Sequence, residues 1–328
     1  MKYLQQSHIL KLTVITFAIV ACFTALRIFR GVNTIVKTEN NRKMFSKIAN
    51  EHTKKEDFMQ NMDLRIKERK KNLKIACKES ALNSDYLSEM QLLFYEKYKL
   101  AYCVIPKSGC SNMKKLLLNI DGYNTTTLTN GEIHEISRTK YLRKGMPDIV
   151  QRENYLKVIL VRHPYERLVS SYNNKIRFPY NDQFLKYSEK MKELYGNSSQ
   201  NSEAKSAPLF EEFVKYVSDG RNQGYKNGGE MHWNTYTSLC NPCHVEYDVI
   251  LHLETIKDDV RYLLELVGAH EDNGFSSGYS KSGQSKTEQK NYVEEYFKQL
   301  IPSLRHKLYK AYKNDFKLFG YSPDRNAK

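Results

Sequence analysis

Three short apolar runs, each closed by turn residues and followed by apolar positions at helical spacing, set the frame of the chain. LAYCVIP (100–106), YLKVILV (155–161) and YDVILHLE (247–254) are continuous and brief, as strands buried on both faces are. The alternation of strand, loop and helix predicts an α/β body with a central, mainly parallel sheet flanked by helices. MKKLLLNI (113–120) predicts the helix after the first strand, and Pro164 sits well as the first residue of the next, which runs through Tyr172 or beyond. Thr255 with Asp258 makes a capping box for a helix that ends near Gly268. Leu304, Leu308, Tyr312 and Phe316 repeat at helical spacing, and Gly320 marks a stop. Stretches rich in Asn, Ser and Gly at 179–208 and 219–230 read as surface insertions, and 272–287 as a mobile loop. No internal repeat interrupts this pattern.

The N-terminal pattern is different. Leu12 to Leu26 carry no charge, and Ile9, Leu10, Ile28 and Phe29 lengthen the run if Lys11 and Arg27 snorkel, so residues 9–29 are expected to form one membrane span. A cleaved signal peptide is the second reading, because the uncharged core is short and Ala21 and Ala25 lie near its end. Residues 30–76, rich in Lys, Glu, Asn and Met, read as a stem, partly helical, that holds the body off the membrane. The basic run RIKERKKNLK (65–74) within it is expected to be a solvated face without a partner.

Composition narrows the function. With 328 residues and 40% hydrophobic content the chain supports one substantial core. The formal charge of +15 suggests a polyanionic partner, yet residues 1–78 hold 17 Lys/Arg against 6 Asp/Glu, and the rest 35 against 31. The excess is N-terminal and the body nearly balanced, so nucleic acid is not expected as a partner. Of six cysteines Cys22 lies in the apolar run, which leaves Cys77, Cys103, Cys110, Cys240 and Cys243, an odd number, for the body. Cys240 and Cys243 lie near His232, His244 and His252, but no second CxxC completes a zinc site; disulfide or buried thiol is the preferred reading, and no metal is called for. Sequons at Asn124 and Asn197 suggest glycosylation.

The strongest chemical signal is CVIPKSGCSNMKKLLL. A loop of small residues between a buried strand and a helix lets backbone N–H groups converge on a phosphate, and the helix adds the positive end of its dipole. Lys107 adds a charge, and Ser108 and Ser111 add hydroxyls. It is not a Walker A loop, since the lysine precedes the glycine, which argues against ATP hydrolysis. In VILVRHPYERLVSSYNNK, Arg162 falls at the carboxyl end of the second strand, where α/β sheets place ligand contacts. Arg162 and Ser170 form a candidate clamp for a second phosphate, with Arg167 either joining them or pairing with an acid such as Glu166.

These two segments, in this order, resemble the two cofactor-binding motifs of Golgi carbohydrate sulfotransferases, in particular the group with the chondroitin and dermatan 4-O-sulfotransferases, the GalNAc-4-sulfotransferases and the HNK-1 sulfotransferase. The likeness extends through FEEFVKYV, HWNTYTSLCNPCHVEYD, HLET and YKNDFKLFGYS, from about Cys77 to Tyr321. It implies a P-loop-like sulfotransferase fold in a single-pass type II Golgi membrane protein: tail 1–8, anchor 9–29, stem 30–76 and lumenal domain 77–328. It also implies 3′-phosphoadenosine 5′-phosphosulfate as donor, with Pro106, Lys107, Ser108, Gly109, Cys110, Ser111 and Asn112 at the 5′-phosphosulfate and Arg162, Arg167 and Ser170 at the 3′-phosphate. The implied acceptor is a glycan, with position 4 of GalNAc in chondroitin preferred over another GalNAc- or glucuronate-containing glycan. His163 and Met113 depart from the family pattern, where an acid and a Trp are usual.

Transfer to a sugar hydroxyl requires stabilisation of the leaving oxygen, for which Lys107 is the natural partner, and removal of a proton. His134, in GEIHEIS, is the preferred base, since an imidazole titrates near neutral pH and the related enzymes carry a histidine at the corresponding place. Glu254 and His232 follow in that order. Lys175, Arg177, Lys281 and Lys286 are candidate acceptor contacts, although basic loop residues are usually only solvated. A metal-dependent glycosyltransferase is disfavoured because no Asp-x-Asp occurs; a non-catalytic binding module has only His163 and Met113 in its favour.

Overall fold

In the computed structural model the three apolar runs are strands that lie side by side. The structure describes residues 2–80, 92–143, 154–179, 181–196, 207–220, 230–269 and 286–324, with most side chains before residue 44 and those of 286–291 outside the description. A long helix α1 (Lys2–Ser80) precedes strands β1 (Leu92–Tyr95) and β2 (Leu100–Cys103). Helices α2 (Cys110–Ile120) and α3 (Asn130–Ile136) lead to a short β3 (Leu142–Arg143) and to β4 (Leu156–Val161). Next come α4 (Pro164–Ser171), α5 (Asp182–Tyr195), α6 (Phe210–Val217), α7 (Tyr236–Cys240) and β5 (Val249–His252). Helices α8 (Ile256–Leu266), α9 (Lys286–Lys298) and α10 (Pro302–Leu318) complete the chain.

The sheet order is β3-β1-β2-β4-β5. β2, β4 and β5 are parallel, as expected, but β1 runs antiparallel to both β2 and β3, so the sheet is mixed where a mainly parallel one was expected. LLFY of β1 escaped notice because its hairpin has no Asn-Gly or similar turn: Glu96–Tyr98 form a single 3₁₀ turn and Lys99 takes the left-handed conformation at φ 43°. The stretch 179–208, read as an insertion, contains α5, whose Asn181 cap accepts from the Phe184 N–H and whose Phe184, Ser188 and Met191 are buried on one face. Thr255 makes no cap bond, since its hydroxyl accepts from Arg69 instead.

Two units divide the chain, Met1–Asn61 and Met62–Lys328. Among the described residues no helix is long and apolar enough to cross a membrane; the expected span at 9–29 is helical, but most of its side chains lie outside the description. Within the second unit the end of α1 joins the body. Leu73 and Ala76 pack in a core with Phe94, Ala101, Ile159, Ile250 and Leu318. The basic run is therefore not a partnerless face. Arg69 donates to Asp259 (2.6 Å), to the Ile250 carbonyl (2.8 Å) and to Thr255 (2.9 Å), while Asp259, wholly buried, also accepts from the His252 N–H (2.7 Å). Disulfides join Cys77 to Cys243 and Cys103 to Cys240, which consumes both thiols of the candidate zinc pair and leaves Cys110 as a buried thiol.

Arg69→Ala strands the Asp259 carboxylate in the core and is expected to cost about 3 kcal/mol or more in urea denaturation. Arg65→Ala, which loses a pair with the exposed Asp258 and a longer contact (3.7 Å) with Asp259 while Arg69 stays in place, is expected to cost clearly less than Arg69→Ala, about 1 kcal/mol.

Candidate active site

The carboxyl ends of β2, β4 and β5 lie at one edge of the sheet, and the register places Cys103 beside Ile159 and Val161 beside His252. The loops that leave this edge carry Lys107, Arg162 and Glu254. Lys107 adopts φ 68° and Gly109, which caps α2, φ 88°; two left-handed residues separated by Ser108 bend the loop into a concave turn. The first helical bond of α2 is Met113 N–H to the Gly109 carbonyl, so Cys110, Ser111 and Asn112 present N–H groups that the helix does not use.

A cavity of about 360 Å³ opens on this edge, lined among others by Lys107, Arg162, Glu166, Ser170, Asn173 and Tyr292. It brings together the lysine of the first motif and the arginine and serine of the second. Arg162 is oriented by Glu166 (3.3 Å) and by the Lys107 carbonyl (3.2 Å), which ties the two motifs to each other. Burial pushes the Lys107 ammonium down to about 8, with Lys175 and Arg162 adding to the effect and Cys110 opposing it. A cation so confined gains from an anion beside it.

Arg167 does other work than the expected phosphate contact. It is 1% exposed, and its Nε, Nη1 and Nη2 donate to the carbonyls of Pro106 (3.0 Å), Asn234 (2.7 Å) and Met231 (2.9 Å). Every guanidinium nitrogen is thus committed to backbone, and the residue holds the loop before α2 against the 230–234 turn. Ser108 is also buried, next to the Tyr236 hydroxyl, so its backbone and not its side chain belongs to the cradle.

His134 lies on α3, a short helix begun by a capping box of Thr129 and Glu132. Both ring nitrogens are engaged: Nε2 with Ser111 Oγ (2.9 Å) and Nδ1 with Lys114 Nζ (2.9 Å). An ammonium only donates, so beside a charged Lys114 the Nδ1 atom accepts and the ring proton sits on Nε2, directed to Ser111. Burial, then Lys114, Lys175 and His232, lower the imidazole to about 4. His232 faces a different neighbour, with Nδ1 2.7 and 2.8 Å from the two oxygens of the buried Glu230.

Glu254 is a structural acceptor. Its oxygens take the His163 N–H (2.7 Å) and the Tyr321 hydroxyl (2.9 Å), and burial raises its carboxyl. His163 bonds the Ser322 carbonyl (3.0 Å) and packs on Phe316 and Tyr321, and Met113 is fully buried, so both departures from the family pattern serve packing. Lys175, a candidate acceptor contact, is buried with its ammonium over the Phe184 ring, so the alternative of a merely solvated side chain does not hold. Arg177 is exposed and bonds Tyr296 (3.0 Å); Lys281 and the Lys286 side chain lie outside the described residues. Asn124 is exposed, whereas Asn197 lies outside the described residues.

An α/β body with a backbone cradle and two motif-borne cations defines a group-transfer enzyme of the sulfotransferase type, and the Sulfotransferase family model matches residues 90–322. Carbohydrate sulfotransferase 11 of Mus musculus is 35% identical over 240 residues, covering 70% of this chain and 67% of the relative. Carbohydrate sulfotransferase 10 of Xenopus laevis is 30% identical over 242 residues (69% and 66%), and carbohydrate sulfotransferase 9 of Homo sapiens 29% over 235 residues (69% and 52%). No solved structure matches the chain. The chain belongs to the carbohydrate sulfotransferases of the Sulfotransferase family and is a sulfotransferase enzyme.

In the free protein the His134 imidazole is expected to titrate near pH 4 by NMR, well below an exposed histidine near 6.5. It is neutral above that pH, and Lys114→Met is expected to raise the midpoint by removing a neighbouring positive charge.

Proposed function

We propose that the protein transfers sulfate from 3′-phosphoadenosine 5′-phosphosulfate to a sugar hydroxyl, with position 4 of GalNAc in chondroitin as the acceptor. The observation that carries this reading is the single cavity at which Lys107 and Arg162, from motifs on adjacent parallel strands, meet Ser170. The donor carries phosphate at both ends of a nucleoside. The cavity's cations, its serine hydroxyl and the unused N–H groups of α2 suit those anions. Lys107 and residues 109–112 would hold the phosphosulfate, and Arg162 and Ser170 the 3′-phosphate. When bound, the donor supplies an activated sulfuryl group. Lys107 and the cradle stabilise the charge that grows on the leaving phosphate oxygen, and Arg162, fixed by Glu166, orients the opposite end. The proton of the attacking hydroxyl goes to a neutral imidazole, of which the site has two, His134 and His232.

The relatives' names support a carbohydrate acceptor, and the GalNAc position follows from the likeness of the motifs. Two disulfides fit an oxidising lumen, the exposed Asn124 fits a glycosylated body, and residues 9–29, 30–76 and 77–328 serve as anchor, stem and lumenal domain of a Golgi enzyme, with the last part of the stem, from Met62, packed as part of the body.

Lys107→Ala and Arg162→Ala are each expected to lower transfer of labelled sulfate by about 100-fold or more while leaving the thermal melt in place. His134→Ala is expected to retain binding of 3′,5′-bisphosphoadenosine and to lose turnover. Mapping of label over desulfated chondroitin, dermatan, heparosan and N-glycans identifies the acceptor; label on GlcNAc overturns the GalNAc assignment. Calorimetric affinity for 3′,5′-bisphosphoadenosine is expected to weaken as pH rises through about 8, where Lys107 of the free protein loses its proton.

A further inference from the structure

Two imidazoles lie by the Lys107 loop, His134 bonded to Ser111 and His232 within electrostatic reach of Lys107, and their hydrogen bonds differ in kind. His134 has both nitrogens occupied, and with Lys114 charged its Nε2 carries the proton, so it donates. His232 has both Glu230 oxygens on Nδ1, which places its proton there and leaves Nε2 with a lone pair; among the described residues Nε2 has no hydrogen-bond partner. Glu230 is 7% exposed, so the pair is a carboxylate and imidazole removed from competing water. The turn that carries them is fixed from three sides: Arg167 holds the Met231 and Asn234 carbonyls, Ser171 donates to the His232 carbonyl (2.5 Å), and Glu230 accepts the His232 N–H (2.9 Å).

We infer that Glu230 and His232 form the dyad that accepts the proton of the attacking sugar hydroxyl, while His134 acts as a positioning residue through Ser111. This rests on the sulfotransferase reading of the cavity. His232 Nε2 takes the hydroxyl proton as the sugar oxygen closes on sulfur. The bond from sulfur to the leaving phosphate oxygen breaks, its electron pair stays on that oxygen beside Lys107, and the imidazolium returns its proton to solvent. Glu230 fixes the tautomer and stabilises the transient cation, the division of labour seen wherever a carboxylate orients a basic histidine. The charged and titratable groups that act on His232 come from four segments: Glu230 on its own turn, Lys107 on the phosphate loop, Lys175 on the turn after α4, and His134 on α3. Burial and the two lysines keep the ring neutral and ready to accept, and Glu230 opposes them.

The test uses the full-length protein, with transfer measured on whichever desulfated glycan the wild type labels. His232→Ala is expected to lower kcat by about 10² or more, with affinity for 3′,5′-bisphosphoadenosine unchanged, and added imidazole is expected to restore turnover to His232→Ala but not to His134→Ala. Glu230→Gln, which keeps the shape and one acceptor oxygen, is expected to lower kcat at unchanged donor KM. It also moves the acid limb of the kcat profile to lower pH, because the lost carboxylate no longer favours the imidazolium. Wild-type kcat in His232→Ala, rescue of His134→Ala alone by imidazole, or loss of activity in Glu230→Gln with the limb unmoved overturns the dyad. A wild-type protein that transfers sulfate but does not bind 3′,5′-bisphosphoadenosine overturns the donor site instead, and the dyad with it.

Discussion

The site depends on one buried cation. Arg167 leaves the α4 backbone and donates from all three guanidinium nitrogens to three carbonyls, one in the loop before α2 and two in the turn that carries His232. Those groups belong to segments more than sixty residues apart in sequence, and each carbonyl would be costly to bury unpaired. The guanidinium satisfies them together, lies over the Tyr236 ring, and has the buried Asp315 as a nearby negative charge. Loop and turn therefore hold fixed places before any ligand arrives, which is what transition-state stabilisation by oriented groups requires.

Electrostatics around the cavity follow from the same economy of space. Lys107, Lys114, Lys175, Arg162, His134 and His232 lie near one another, with Glu166 paired to Arg162 and Glu230 to His232. Burial and neighbouring positive groups push Lys107 and both imidazoles toward their neutral forms, and burial does the same to Lys114. A polyanionic ligand reverses that balance, so its binding and the readiness of the imidazoles to carry a proton are coupled through the same charges.

Much of the fold was legible because the parallel strands are buried on both faces and so appear as unbroken apolar runs. β1 was not, since a four-residue run with no turn signature carries too little pattern. α3 could have been found from the Thr129 and Glu132 spacing. Of the site, the phosphate loop and Arg162 were visible as motifs, because the chemistry there depends on local spacing. Arg167 reads in the sequence as a phosphate contact and Lys175 as an acceptor contact, and no local pattern singles out Glu230. Their significance lies in long-range contacts: to carbonyls over sixty residues away, to Lys107, and to a histidine whose tautomer only geometry fixes. The docking of residues 65–76 was hidden for the same reason, as its acid partner Asp259 is 190 residues distant.

The two disulfides meet in a four-residue segment, Cys240 and Cys243, which ties the end of α1 and strand β2 to the same place. Their earlier partners are made 166 and 137 residues sooner. At ribosomal speed these thiols wait on the order of ten seconds for their mates. During synthesis Cys77, Cys103 and Cys110 are the only thiols of the body available to one another, and none of the pairs they can make is native. Native pairing is thus a late event, and any early crosslink among these three thiols has to be undone by thiol–disulfide exchange before both native bonds can form.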